Sequence, residues 1–176
     1  GGTTGSNLSA GNALLNGGTL LVNATGTISN AITLGAGTNT IAAKTSQTAT
    51  ISGVISGSGN LTIGNSTNTG TVAFSGANTY SGTTTISSGT LSLLAGGKLG
   101  TGAVTDNANL LFNNGVINTA NGITGTGTIT VGSGSGLKLT GALGVDGGVV
   151  VDEGGFIDLN GYDSDTNISL AGSGNS

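Results

Sequence analysis

"GTVAFSGANTYSGTTTISSGTLSL", Gly70 to Leu93, decides how this chain is to be read. It carries no charge and no proline, and its few large apolar residues stand among Gly, Ser, Thr and Asn. Val72 and Phe74 are two residues apart, as are Leu91 and Leu93, so each pair lies on one face of a strand. Outward from this stretch the same apolar-x-apolar pattern recurs at an almost constant step. Its first members are Ile32, Ile51, Val72, Leu91, Leu110, Ile129, Val149 and Ile168. Two residues on stand Leu34, Gly53, Phe74, Leu93, Phe112, Val131, Val151 and Leu170. A second ladder runs through Leu20, Ile41, Leu61, Tyr80, Leu99, Ile117, Leu137 and Ile157, and a third through Ile86, Val104, Ile123, Leu143 and Tyr162.

Interleaved ladders with one period are the mark of a stacked repeat. Each turn of the chain makes a coil of two or three short strands, and equivalent residues of successive coils lie about 4.8 Å apart. The spacing predicts an all-β parallel β-helix of about 19–20 residues per coil, with inward apolar columns and glycine or asparagine at the corners. About nine coils would make a rod roughly 40 Å long. The leucine-rich repeat has a similar period, but its L-x-x-L-x-L pattern does not recur. A β-sandwich would not keep a constant step.

Composition agrees. Of 176 residues 37 are glycine and only 6% are charged, with three lysines, seven acids and no arginine, histidine, cysteine, proline or tryptophan. Mean hydropathy is +0.24 and net charge is −4, which is not the low-hydropathy, high-charge signature of disorder. Abundant Thr, Ile and Val favour strands over helices. So few cations exclude a phosphate-binding surface, hence nucleic acid as a partner. No run of 18 apolar residues occurs to span a membrane as a helix. The start "GGTTGSNLSAG" has neither the basic region nor the apolar core of a signal peptide.

The opening stretch closely resembles the passenger-associated repeat of bacterial autotransporters. The likeness rests on Gly70, Thr71, Phe74, Ser75, Gly76, Asn78, Tyr80, Gly82, Thr84 (or Thr83), Ile86, Gly89, Thr90, Leu91 and Leu93. The preceding "ATISGVISGSGNLTIGNS", Ala49 to Ser66, is similar to the lead-in usual in that family. The resemblance covers Ala49 to Leu93 and implies a right-handed β-helix on or outside the bacterial outer membrane. Such passengers serve as adhesins, stalks or carriers of a separate effector. No segment resembles the C-terminal membrane barrel of whole autotransporters.

Chemistry-bearing residues are scarce. Without His or Cys, no Ser-His-Asp or Cys-His arrangement can form. A Ser-Lys pair would have to use Lys44, Lys98 or Lys138, which read as solvated surface lysines. Six of the seven acids follow residue 140: Asp146, Asp152, Glu153, Asp158, Asp163 and Asp165. Asp163, Asp165 and Asn167 have the opening spacing of a calcium loop, but Ile168 stands where its glycine should be and no glutamate closes it. The acids therefore read as an acidic edge, and no catalytic, cofactor or metal residue is assigned.

Thr-x-Thr recurs at Thr38/Thr40, Thr48/Thr50, Thr67/Thr69/Thr71, Thr83/Thr85 and Thr126/Thr128/Thr130. By analogy with solenoid antifreeze proteins, such pairs could bind ice if stacked in register. Their uneven steps along the chain argue against one continuous row, and outward threonine follows from β propensity alone. Asn-x-Ser/Thr triplets begin at Asn7, Asn23, Asn60, Asn65 and Asn167, as composition alone would produce. Tyr80 and Tyr162 read as column residues.

Neither terminus reads as a cap. Residues 1–176 are accordingly expected to be one solenoid segment, part of a longer repeat protein or a unit that stacks end to end into a filament. The expected function is non-enzymatic: a stalk, adhesin shaft or filament subunit outside the cell, with flanking coils, sister copies or a host or bacterial surface as partners. The alternative is a binding module using one face for carbohydrate, calcium or ice.

Overall fold

The computed structural model describes residues 11–161 and 168–170. Every strand pairing is parallel, and the chain visits three faces in a fixed cyclic order, coil after coil. The first face holds β1 (Ala13–Leu15), β4 (Ile32–Leu34) and β7 (Ile55–Gly57), and later β14 (Ile117–Ala120), β17 (Gly136–Leu139) and β20 (Phe156–Asp158). The second holds β2 (Thr19–Val22), β5 (Thr38–Ala43), β8 (Asn60–Ile63), β10 (Thr84–Ile86), β12 (Val104–Asp106), β15 (Ile123–Gly125) and β18 (Leu143–Val145). The third holds β3 (Gly26–Ile28), β6 (Thr48–Ile51), β9 (Thr71–Phe74), β11 (Thr90–Leu93), β13 (Asn109–Phe112), β16 (Thr128–Val131), β19 (Val149–Val151) and β21 (Ile168–Leu170). The described residues form a parallel β-solenoid of about seven turns, against the nine expected for all 176 residues.

Coil length varies along the chain. From β9 onward the third face keeps the step read from the sequence: Val72 pairs with Leu91, Leu91 with Leu110, Leu110 with Ile129 and Ile129 with Val149. Earlier coils are longer, since Gly26 pairs with Ala49 and Ala49 with Val72. The extra residues sit at corners. One such corner, between β8 and β9, is closed by reciprocal backbone hydrogen bonds between Asn65 and Asn68.

Longer early coils shift the ladders read from sequence. Ile51 stacks on Phe74, not Val72, and Ile32 belongs to the first face, beneath Ile55. Gly53 lies outside the strands, at the turn between β6 and β7. On the second face Leu20, Ile41, Ile63 and Ile86 form one column, while Leu61 pairs with Thr84. Ile117 points outward and is 61% exposed, because its neighbour Asn118 takes the inward position that pairs with Leu137. Tyr162 lies outside the described residues.

Columns of buried side chains fill the interior: Ile51, Phe74, Leu93, Phe112, Val131 and Val151 along the third face, beside Ala49, Val72, Leu91, Leu110, Ile129 and Val149. Each fully buried Ile, Leu, Val or Phe contributes roughly 1.5–3 kcal/mol by leaving water.

The first face loses regular strand geometry between β7 and β14, at the coils that contain the opening stretch. Backbone bonding nevertheless continues there: Thr79 N–H donates to Ile55 O at 2.8 Å, Ser81 N–H to Gly57 O at 2.9 Å and Thr101 N–H to Tyr80 O at 3.0 Å. Tyr80 is fully buried on this side rather than on the Leu61 column. A Cβ at Gly100 would come within 2.5 Å of its ring carbons, so only glycine leaves the ring its space. Asn78 ties three coils together, its Oδ1 accepting Ile55 N–H at 2.8 Å and its Nδ2 donating to Lys98 O at 2.9 Å.

Candidate functional site

The ionisable side chains are dispersed by the coil geometry. Lys138 on β17 and Asp158 on β20 meet across the first face at 3.7 Å, both about half exposed, a contact worth little in water. Asp146 follows β18 at one corner, and Asp152 and Glu153 follow β19 at the next. Among the described residues no three His, Cys, Asp or Glu side chains come close enough to hold a metal ion. The Asp163, Asp165 and Asn167 spacing lies outside the described residues.

Lys98 lines a groove of about 440 Å³ beside the irregular part of the first face. Leu93, Leu99, Val116, Ile117, Asn118 and Thr119 form much of its wall. The groove exists because β14 resumes regular pairing where the preceding coil, around Gly96 and Gly97, does not form a strand. It brings together one cation, apolar side chains, an amide and a threonine hydroxyl, and no acid lines it.

A further ionisable group stands inside the solenoid, where the sequence reading placed none. Asp106 ends β12 at an inward position, paired with Ile86 below. The next two coils bring Gly125 and then Val145 to the same end of the face. Asp106 is fully buried. Its Oδ1 accepts Ala108 N–H at 3.0 Å, while Oδ2 has no partner. Loss of hydration pushes its pKa up to about 6, against the opposing pull of the Ala108 bond. The signal was present in the sequence: Val104-Thr105-Asp106 puts a carboxyl where Leu61-Thr62-Ile63 has a hydrocarbon.

The threonine pairs do not form one continuous row, in keeping with their uneven steps. They belong to two faces. Thr38/Thr40 and Thr83/Thr85 lie on the second face, and Thr48/Thr50, Thr71 and Thr128/Thr130 on the third. On the second face Thr19 pairs with Thr40, Thr40 with Thr62, Thr62 with Thr85, Thr85 with Thr105 and Thr105 with Thr124. Six outward threonines thus stand in one unbroken column, and Thr19, Thr62 and Thr105 have no Thr-x-Thr neighbour to reveal them. The third face is less uniform, with Ala73, Ser92 and Leu111 taking the places between Thr50 and Thr130.

A family model, the passenger-associated-transport-repeat, matches residues 67–93. The match spans β9, β10 and β11 together with the Asn78–Tyr80 crossing of the first face. A parallel β-solenoid carrying this repeat fits the passenger β-helix of an autotransporter. No curated protein and no solved structure matches the chain.

Proposed function

We propose that the protein is a non-enzymatic, extracellular β-helix, a rigid shaft that holds or spaces other parts on the bacterial outer surface. The passenger-associated repeat at residues 67–93, set within a backbone ladder that continues on both sides of it, carries this reading. The repeat family points to the extracellular or outer-membrane surface. A shaft needs stiffness along one axis. Parallel hydrogen bonding from coil to coil and the apolar columns of the third face supply it.

On this reading residues 1–176 are one solenoid segment of a longer repeat protein or of a stacking filament. Among the described residues β1, β2 and β3 pair on one side only, as do β18, β20 and β21 at the opposite end. Such edges accept a further coil of the same or another chain, and head-to-tail addition would build a filament. Adhesion to a host or bacterial surface would then be a property of the shaft's sides.

Small-angle X-ray scattering over a dilution series tests the shaft. Seven coil-to-coil steps give a rod section about 34 Å long. A constant cross-section with a length that grows with concentration supports filament stacking, and a constant length supports a segment of a longer passenger. Scattering from a sphere would remove the reading. Antibody labelling of intact, producing cells tests the location, and staining only after lysis would refute it.

A further inference from the structure

The second face has a property that a shaft does not require. Its central outward column is Thr19, Thr40, Thr62, Thr85, Thr105 and Thr124, each in cross-strand register with the next. Thr19 and Thr124 are exposed and the four between them half-buried against one another. None of the six side chains bonds to another side chain among the described residues. Two residues away runs a parallel column in which Thr38 pairs with Asn60, whose Oδ1 accepts the Thr83 backbone N–H at 3.0 Å. Ala103 follows, since its carbonyl accepts Thr84 N–H at 3.0 Å. These two columns contain no charged residue.

Such a face has a definite ligand chemistry. Its hydroxyls recur at the coil spacing, about 4.8 Å, and the backbone ladder beneath fixes that spacing. Each threonine also presents a methyl group, which leaves few other places for water to bond. Water held by these hydroxyls therefore takes up the repeat of the protein. A partner must be uncharged, because there is no ion to pair with. It must also be periodic along one axis, because the face is. Polysaccharide meets both demands but wants aromatic platforms, and among the described residues this face has none: Phe74, Phe112 and Tyr80 are buried and Phe156 lies on the first face. A second copy of the face would bury these hydroxyls without partners of complementary charge or shape. Solid water meets both demands and supplies donors and acceptors to every hydroxyl.

We propose that the threonine column of the second face binds ice, through a layer of water ordered on Thr40, Thr62, Thr85 and Thr105. This goes beyond the proposed shaft, which stands whether or not the face has a ligand.

The test follows the fluorescently labelled chain as ice grows slowly through its solution, with recrystallisation of a frozen sample as a second readout. The native chain is expected to enter the ice and to hold crystals small. Thr62→Tyr and Thr85→Tyr put a ring in the middle of the column, and each is expected to reduce incorporation at least about tenfold, equivalent to about 1.4 kcal/mol. Thr130→Tyr, outward on the third face, is expected to leave it unchanged. Circular dichroism and a melting curve establish that each variant is folded. Rejection of the folded native chain by ice would overturn the proposal. So would equal losses for the second-face and third-face variants, or a native dimer that Thr62→Tyr dissolves.

Discussion

Asp106 occupies a position that the coils below it fill with Ile41, Ile63 and Ile86. It has one hydrogen bond and one bare oxygen in a hydrocarbon column. Its folded pKa of about 6 stands above the ordinary aspartate value of 3.8. The folded chain therefore binds this proton more tightly than the unfolded chain does. The stability so gained is complete below about pH 3.8 and is lost as pH rises through about 6. Asp106→Asn keeps an oxygen for Ala108 N–H and removes the charge. It is expected to raise stability at pH 8 by about 1–3 kcal/mol and to change it little at pH 4, as urea titrations at the two pH values would show. Equal effects at both would mean that the carboxyl does not ionise in the fold. Tyr80 offers a smaller test of the same kind, since its hydroxyl and Thr84 Oγ1 meet at 2.7 Å in the interior. Thr84→Val should cost about 1 kcal/mol, and Tyr80→Phe in the same chain should recover part of it, because both polar partners are then gone.

At the scale of the element, the stretch from Gly70 to Leu93 uses its signature residues to cross the first face without a regular strand. Tyr80 needs the depth of the core and the bare Gly100 beside it, and Asn78 substitutes its side-chain amide for ladder bonds on both sides. Asn78→Ala strips the acceptor from Ile55 N–H and the donor from Lys98 O. A loss of about 1–3 kcal/mol is expected, with faster hydrogen exchange at the Ile55 amide. The Ile32 amide, bonded to Val54 O at 2.9 Å, serves as the internal control. Unchanged exchange at Ile55 would show that the side chain is not its acceptor in solution. The sequence exposed this element unevenly, for a geometric reason. Strands repeat on one face every two residues, so an apolar-x-apolar pair slid by two still looks aligned. Where the coils keep their shorter, even step, from Val72 through Val149, the ladder reads directly. Where the coils lengthen, below β9, Ile51 is matched to the wrong partner. The threonine column was hidden for a related reason. Thr62 and Thr105 have no Thr-x-Thr neighbour, and the pairs that do exist are divided between two faces. Asp106 carries no motif of its own, and composition draws the eye to the other acids, all of which crowd the C-terminal part of the chain.

For the whole molecule, the consequence of stacking is that each strand pairs only with the coil above and the coil below. Stability is then close to a sum of neighbouring interfaces, and damage should stay near its source. Phe112 gives the cleanest place to look. It is fully buried, in register between Leu93 and Val131, near the middle of the longest sheet. Phe112→Ala removes a large side chain from a close-packed column, at an expected cost of about 3–5 kcal/mol. If the shaft behaves as a one-dimensional stack, amide exchange will quicken most in β11, β13 and β16 and fade with distance toward β3 and β6. An equal loss of protection at every coil would mean that the solenoid opens as a single unit. The two outcomes bear on the proposed function. A shaft of semi-independent interfaces can grow by adding coils without redesign of those already present, whereas one that opens all at once must retain its whole column to stand.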